Sequence, residues 1–458
     1  MRGAMRYLWR AWVILFVLVS CAPLPVRAAD EIDETAPNSI LAKYDKGFRF
    51  ETRDGRYALR LNGLLQARYS YVDYDPEIRY NQQNYSNLYL RRARLFFSGH
   101  AGGTRLTYVF HVQLEPGQGL NANDLWVEYE FTDLLRLGIG RNKIAYGLEM
   151  LNSGSALGMV ERSLMYGETD IDVGSESAPG PRYPGGGTLR FGLSWVAPNG
   201  FATGGLNLYR SQGLQLRGER GADDRPSFEY QLGIWQGRGT TSASNVGNDH
   251  LVALRVGYHP FGRVDWKVVG DVGSSERFKL AVIGSLYRDS TDEPVAFDES
   301  GTNVALLARW HGWSLDAEWA AESFDYREPR ATYDRKGWRA SLGWFVVPSK
   351  WEVRARYAEI QRLKDPTYRR AVASQLGVPE VWDGSDWAPA LEAKISEISV
   401  AASVFVLEWR NRLIVDVSRL RREFVADPGA VIDGEPAPIA KAPDQIDHRV
   451  RVMVQLGF

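Results

Sequence analysis

The chain has 458 residues, 55 Lys and Arg against 56 Asp and Glu, and a single cysteine, Cys21. A soluble protein of that length would divide into two or three domains, yet no Pro/Ser/Gly linker or shift in composition splits it. Beyond the N-terminus no apolar run of roughly 18 residues occurs, which excludes a bundle of membrane helices, and the near-even charge balance gives nucleic-acid binding no electrostatic support.

At the N-terminus, Arg2, Arg6 and Arg10 precede the apolar run Ala11 to Val19, and Val26-Arg27-Ala28 precedes Ala29. That order reads as a secretion signal over 1–28. Leu18-Val19-Ser20-Cys21 also resembles a lipoprotein cleavage box that would leave a lipidated Cys21. The acidic run from Asp30 to Glu34 suits a mature N-terminus and favours cutting after Ala28. The mature chain then has no cysteine, as suits an oxidising periplasm. The signal takes away Arg2, Arg6, Arg10 and Arg27 and no acid, leaving 51 basic residues against 56 acidic ones. Any preference for anions must therefore come from where the arginines sit.

Residues 29–56 are polar and acidic and read as a periplasmic lead-in. From Tyr57 a period of two begins: Tyr57, Leu59, Leu61, Gly63, Leu65, Ala67 and Tyr69 share one face of an extended chain, opposite Arg60, Asn62, Gln66 and Arg68. The pattern returns over 104–115, 124–131 and 134–141, with Thr132-Asp133 as a tight turn. Residues 142–186 then form a long stretch rich in Gly, Ser and acids, and loops of that length in a compact β-protein are functional or disordered. Alternation resumes at 187–197, 203–210, 227–237, 249–259, 277–289, 302–312, 313–325, 336–347, 350–362, 395–409 and 411–423. The segments 210–226, 289–302, 364–394 and 424–445 read as extracellular loops. Aromatic residues mark strand ends: Tyr69, Tyr71 and Tyr74; Trp310 and Trp313; Trp344 and Phe345; Trp382 and Trp387. They suit the two interfaces of a bilayer.

The last segment, Ile446 to Phe458, alternates most strictly. Ile446, His448, Val450, Val452, Val454, Leu456 and Phe458 oppose Asp447, Arg449, Arg451, Met453, Gln455 and Gly457. For this segment alone the edge strand of a soluble sandwich is the competing reading. The chain as a whole predicts an all-β fold, a transmembrane antiparallel barrel over 57–458 of about 16 strands, since bacterial single-chain barrels have even numbers. Phe458 resembles the terminal aromatic that the barrel-assembly machinery reads.

If the apolar set faces lipid, the alternate residues face the lumen. The wall then receives Arg60, Arg68, Arg136, Arg190, Arg255, Arg309, Arg339, Arg354, Arg356, Arg449 and Arg451, together with Glu115, Asp124, Glu128, Glu130, Asp316, Glu318, Glu352, Glu397, Asp416 and Asp447. These acids and arginines can pair across neighbouring strands and keep a wide pore wet, or the arginines can offer forks to oxyanions. Arg91, Arg92 and Arg94 break the alternation. Two adjacent arginines cannot both face the lumen of a regular strand, and one left in lipid would cost about 2 to 4 kcal/mol at the midplane. Either a β-bulge re-aims one of them, or one sits at an interface.

The stretches LYLRRARLFFSG, LGIGRNKIAYGLE and MVERSL, in that order and followed by a long loop, resemble the phosphate-selective porins O and P of Gram-negative bacteria. The resemblance is best over 57–200 and at the terminal strand. It implies a trimeric barrel of 16 strands whose third extracellular loop, here 142–186, folds inward to narrow the pore. It also implies a central anion site in which Arg91 and Arg92 match paired arginines, while Lys143 and Arg162 match basic positions flanking the loop. The chain departs from the phosphate binders just beyond, where Glu168, Asp170 and Asp172 stand in place of further basic residues. The expectation is weak to moderate anion selectivity without tight phosphate binding.

Six histidines are scattered with no close metal spacing, and Gly138-x-Gly140 opens no helix after a strand. No histidine can be placed beside a nucleophile, so no enzyme, metal or cofactor is expected. Two functional readings stand: an outer-membrane porin for small anions, or a structural barrel sheathing a periplasmic partner such as a multihaem cytochrome. A loop folded into the lumen favours the first, because it would obstruct an inserted partner.

Overall fold

The computed structural model describes residues 39–73, 85–114, 120–166, 208, 210–236, 250–291, 297–326, 331–362, 391–407, 410–425, 431–432, 435–436 and 444–458. The strands are β1 (Ile40–Tyr44), β2 (Phe48–Thr52), β3 (Ala58–Asp73), β4 (Tyr85–His100), β5 (Leu106–Gln113), β6 (Asn121–Thr132), β7 (Leu135–Lys143), β8 (Arg210–Arg220), β9 (Ser227–Gln236) and β10 (His250–His259). They continue with β11 (Lys279–Thr291), β12 (Phe297–Trp310), β13 (Trp313–Tyr326), β14 (Ala331–Val347), β15 (Trp351–Arg362), β16 (Leu391–Leu407), β17 (Asn411–Val425), the small hairpin β18 (Val431–Ile432) and β19 (Glu435–Pro436), and β20 (Gln445–Gly457). One antiparallel sheet holds 18 of them. Two of these, β1 and β2, form an appended hairpin, and the other sixteen close into a barrel when β20 pairs with β3 from Gly457↔Leu64 to His448↔Asp73.

The barrel inverts the soluble pattern. On β14 to β17 and β20, outward positions such as Trp338, Leu342, Val353, Ile398, Val400, Val417 and Leu456 are exposed, while Arg339, Arg354, Arg356, Glu397, Asp416, Arg449 and Arg451 are buried inside. This is the period-two alternation of a lipid-facing barrel, and a one-residue slip would put the whole charged set outside.

The end of the barrel that carries Ala58 and Phe458, here the lower rim, is built on tight turns and aromatic rings. Trp310 opposes Trp313 across the turn His311-Gly312, whose φ angles of 45° and 82° give the twist a two-residue hairpin needs. Trp313 stacks on Trp344 at 5.1 Å. Phe345, expected in the exposed girdle, is instead buried against Phe405 at 5.5 Å. It follows Trp344 on β14, so it points to the other side of the sheet.

The chain closes at Gly63. Gly63 donates its N–H to the Phe458 carbonyl at 3.0 Å and accepts that of Phe458 at 3.2 Å. A Cβ on Gly63 would lie 2.1 Å from the Phe458 ring. Below this point β2 takes over as the neighbour of β3, from Phe48↔Leu61 to Glu51↔Ala58, and Phe48 meets Phe458 edge-on at 6.1 Å. Gly63→Leu is therefore expected to lower the yield of heat-modifiable folded barrel by at least about twofold. Gly284→Ala, where nothing lies within 4 Å of the added Cβ, should leave the yield unchanged on the same gel.

Two expected loops are largely strand: within 289–302, β11 runs to Thr291 and β12 begins at Phe297, and 210–226 holds a whole strand. Residues 210–220 form β8, and only 221–226 turn. The strand shows lipid just two large apolar side chains, Leu214 and Leu216, and Gly213 and Gly218 add no side chain, so its alternation is faint in the sequence. The expected strand 187–197, and 203–210 apart from Leu208 and Arg210, lie outside the described residues, as do Tyr74, Trp382 and Trp387.

Candidate functional site

After β7 the chain enters the barrel. Residues 144–166 carry a short helix, Leu148–Leu151, and a 3-10 turn, Leu164–Tyr166, and nearly all of them are buried. They are seated on apolar residues that break the polar-inward rule. Leu148 packs with Ala281, Ile283, Ala305 and Leu307 of β11 and β12. Val160 packs with Ile414 of β17 and Met453 of β20.

Backbone groups that such a loop would leave unpaired are met by wall side chains. Glu318 on β13 accepts the N–H groups of Leu148 and Glu149 at 2.5 and 3.3 Å, which places an anion at the start of the helix. At the other end Lys143 Nζ donates to the carbonyls of Met150, Leu151 and Asn152 at 2.8, 3.0 and 2.7 Å, and Arg162 donates to those of Glu149 and Asn152 at 3.0 and 2.8 Å. Asp416 accepts from Val160 N–H, Glu397 accepts from Leu164 N–H, and Arg356 donates to the Glu161 carbonyl at 2.9 Å. Burial holds the Tyr166 phenol well above its ordinary pKa, so it stays protonated as a donor to Glu318.

On the opposite wall, β4 carries the expected irregularity. Gln66 pairs with Arg92 and Ala67 with Leu90, so Arg91 is the extra residue of a β-bulge. The bulge turns both adjacent arginines inward. They converge on one carboxylate: Glu161 receives Arg91 Nε at 2.5 Å, Arg68 Nη1 at 2.6 Å and Arg92 Nη2 at 2.8 Å, and its side chain is only 1% exposed. The sequence reading had singled out Arg91 and Arg92 but missed Glu161, although MVERSL contains it.

A cavity of about 640 Å³ remains between β4 to β8 and the inserted loop. Arg91, Arg92, Arg94, Lys143, Arg162, Arg210 and Lys267 line it, with Asp124 as the one acid among the described residues, and Phe96, Val109, Leu151 and Trp266 supply apolar surface. Asp124 takes Arg210 Nε at 2.7 Å and His111 Nδ1 at 2.8 Å. Lys143 Nζ and the Arg162 guanidinium both hold the carbonyls at the end of the short helix, which fixes two cations at the cavity edge. Five of the eight residues expected at the anion pathway, Arg91, Arg92, Arg94, Lys143 and Arg162, thus come together, while Glu168, Asp170 and Asp172 lie outside the described residues.

The residues expected along the wall are largely ion-paired. Arg339 meets Glu318 at 2.8 Å, Arg356 meets Glu397 at 2.7 Å, Arg449 meets Glu397 at 3.3 Å and Arg451 meets Asp416 at 2.7 Å. Arg309 meets Asp316 at 2.6 Å, Arg354 meets Glu352 at 2.6 Å, Arg136 meets Glu130 at 2.8 Å and Arg255 meets Glu229 at 2.8 Å. Arg60 is at the lower rim, 3.0 Å from Asp45 in the turn of the N-terminal hairpin, so it is a rim residue and not part of the inner wall. Arg190 lies outside the described residues. The lumen is therefore divided. Among the described residues, the side against β13 to β17 and β20 is filled by the loop and a lattice of buried ion pairs, and the side against β4 to β8 holds the cation-lined cavity.

Residues 62–184 match the family model for phosphate-selective porins O and P, a segment that contains all three stretches carrying the resemblance. Among solved structures, an anion-selective porin from Comamonas acidovorans is similar with a TM-score of 0.51 at 13% identity, covering 87% of this chain and 100% of that one. The outer membrane channel DcaP of Acinetobacter baumannii gives a TM-score of 0.50 at 11% identity, over 89% of this chain and 99% of that one. OprB of Pseudomonas putida gives 0.50 at 11% identity, over 90% and 95%. At these identities the likeness is one of fold, the porin barrel. Among curated proteins no relative matches by sequence.

Proposed function

We propose that the chain is an outer-membrane porin of a Gram-negative bacterium, exported by the signal over 1–28, through which small anions diffuse without tight phosphate binding. The lower rim then faces the periplasm, and Phe458 is presented to the assembly machinery. The observation that carries the reading is the cavity lining, where among the described residues seven cations stand against the single carboxylate of Asp124. A cationic wall in a narrow, low-dielectric passage raises the local anion concentration. At physiological salt the Debye length is about 8 Å, so these side chains outweigh charges elsewhere in the barrel. The sheath reading is disfavoured by the inserted segment 144–166, which occupies the bore an internal partner would need.

The rest of the loop, through residue 186, completes the constriction in this account, and deleting 165–180 should raise single-channel conductance. An unchanged conductance in a folded variant would remove the loop from the narrowest point. The apolar outer faces of β3 and β20, with Leu65, Tyr69, Val454 and Leu456 exposed, suit a homotrimer. Native mass spectrometry in mild detergent should give three copies, and a single copy would contradict this.

A further inference from the structure

Residues 260–278, between β10 and β11, are the longest connection at the lower rim among the described residues; the others there are 101–105, 133–134, 221–226, 311–312 and 348–350. The segment does not hang below the barrel. Val264 is buried with Leu148 of the inserted loop and with Ala281, Ile283, Ala305 and Leu307 of the inner wall. Val269 N–H donates to the carbonyl of Ala156, also in the inserted loop, at 3.0 Å. The return is fixed as well: the Asp271 carboxylate accepts the N–H of Ser275 at 2.9 Å and that of Gly312 at 2.8 Å, and Ser349 donates to the Val272 carbonyl at 2.7 Å. Between these anchors, Trp266 is held with the Arg255 guanidinium 4.2 Å over its ring, and the exposed Lys267 next to it faces the cavity that also receives Arg91 and Arg92.

We propose that this strap is a second selectivity element, inserted from the lower rim to meet the loop that follows β7, and that Lys267 is a specificity-determining residue acting directly on passing anions. The proposal rests on the porin reading above. The physical warrant is position. Lys267 is carried by a segment pinned at both ends, its charge enters the same water-filled space as the arginines of β4, and a charge there is felt within a Debye length of about 8 Å. A floppy turn at the rim would have no such effect.

The test uses the chain without residues 1–28, which contains no other thiol once Cys21 is gone. Lys267→Cys is refolded, checked as a heat-modifiable barrel and studied in planar bilayers in a KCl gradient before and after labelling. An anionic methanethiosulfonate should lower the chloride-to-potassium permeability ratio by at least about threefold, and a cationic one should restore it to near that of the unmodified chain. If labelling is complete by mass and neither reagent moves the ratio, or if the thiol cannot be labelled in the folded barrel, the proposal is wrong. Lys267→Gln and Lys267→Glu give the same reading in graded steps should the cysteine variant fail to fold, and an unchanged ratio in both overturns it. A parent channel that does not conduct, or that prefers cations before any reagent is added, would instead count against the porin reading.

Discussion

Replacing Arg91 and Arg92 together with alanine is expected to lower the chloride-to-potassium permeability ratio by at least roughly sixfold. Two unit charges about 8 Å from an ion in water-like surroundings contribute about 0.5 kcal/mol each, and about 1 kcal/mol together is a factor of roughly six in local anion concentration. A second consequence follows from Glu161. Its carboxylate would lose the guanidiniums of Arg91 and Arg92 and keep that of Arg68. Breaking a buried ion pair from one side costs about 3 to 5 kcal/mol, so the loop around Glu161 should loosen. Adding Glu161→Gln to the double variant separates the two effects: the carboxylate is gone, the loop should stay seated, and the ratio should lie between those of the double variant and the parent. A triple variant no different from the double would mean that Glu161 contributes no charge to the passage.

Glu161→Gln alone should have the opposite sign and a new property. The carboxylate occupies a place where three guanidinium groups converge, and guanidinium forks fit carboxylate and phosphate oxygens alike. In the parent this set is already satisfied within the chain, which accounts for the absence of tight phosphate binding in the proposed function. With a neutral carboxamide in that place, inorganic phosphate should inhibit chloride current at a concentration at least about tenfold lower than in the parent, a shift of about 1.4 kcal/mol. Equal inhibition of parent and variant would mean that Glu161 does not stand in for an external oxyanion.

Much of the barrel could be read from the sequence because one physical rule, apolar to lipid and polar to lumen, repeats along nearly every strand. It is plain in β20, where Asp447, Arg449, Arg451 and Gln455 are all fully buried inside the barrel. It failed at β8, where Gln212, Gly218 and Arg220 leave only Leu214 and Leu216 as large apolar residues on the outer face. The irregularity at Arg91 was legible for the same reason in reverse, since two adjacent arginines cannot both point inward from a regular strand; a bulge and an interface position were both open, and the strand register shows the bulge.

The site was only half legible. Arg91, Arg92, Arg94, Lys143 and Arg162 were named and line one cavity, but Glu161 looked like any loop acid, because nothing in local spacing reveals that Arg68 on β3, together with β4, reaches it across the barrel. Trp266 and Lys267 were missed because residues 260–276 fall between two expected strands and show no alternation that would place them in the lumen. Their entry into the lumen depends on Val264 meeting Ile283 and Leu307, inward apolar residues on strands expected to be polar inside.

The central claim is that the cations around the cavity set the sign of selectivity. The most direct test is the reversal potential of single channels of the mature chain in a planar bilayer with a KCl gradient at neutral pH. The account predicts stable channels whose reversal potential lies on the chloride side of zero. A reversal potential on the potassium side would contradict it.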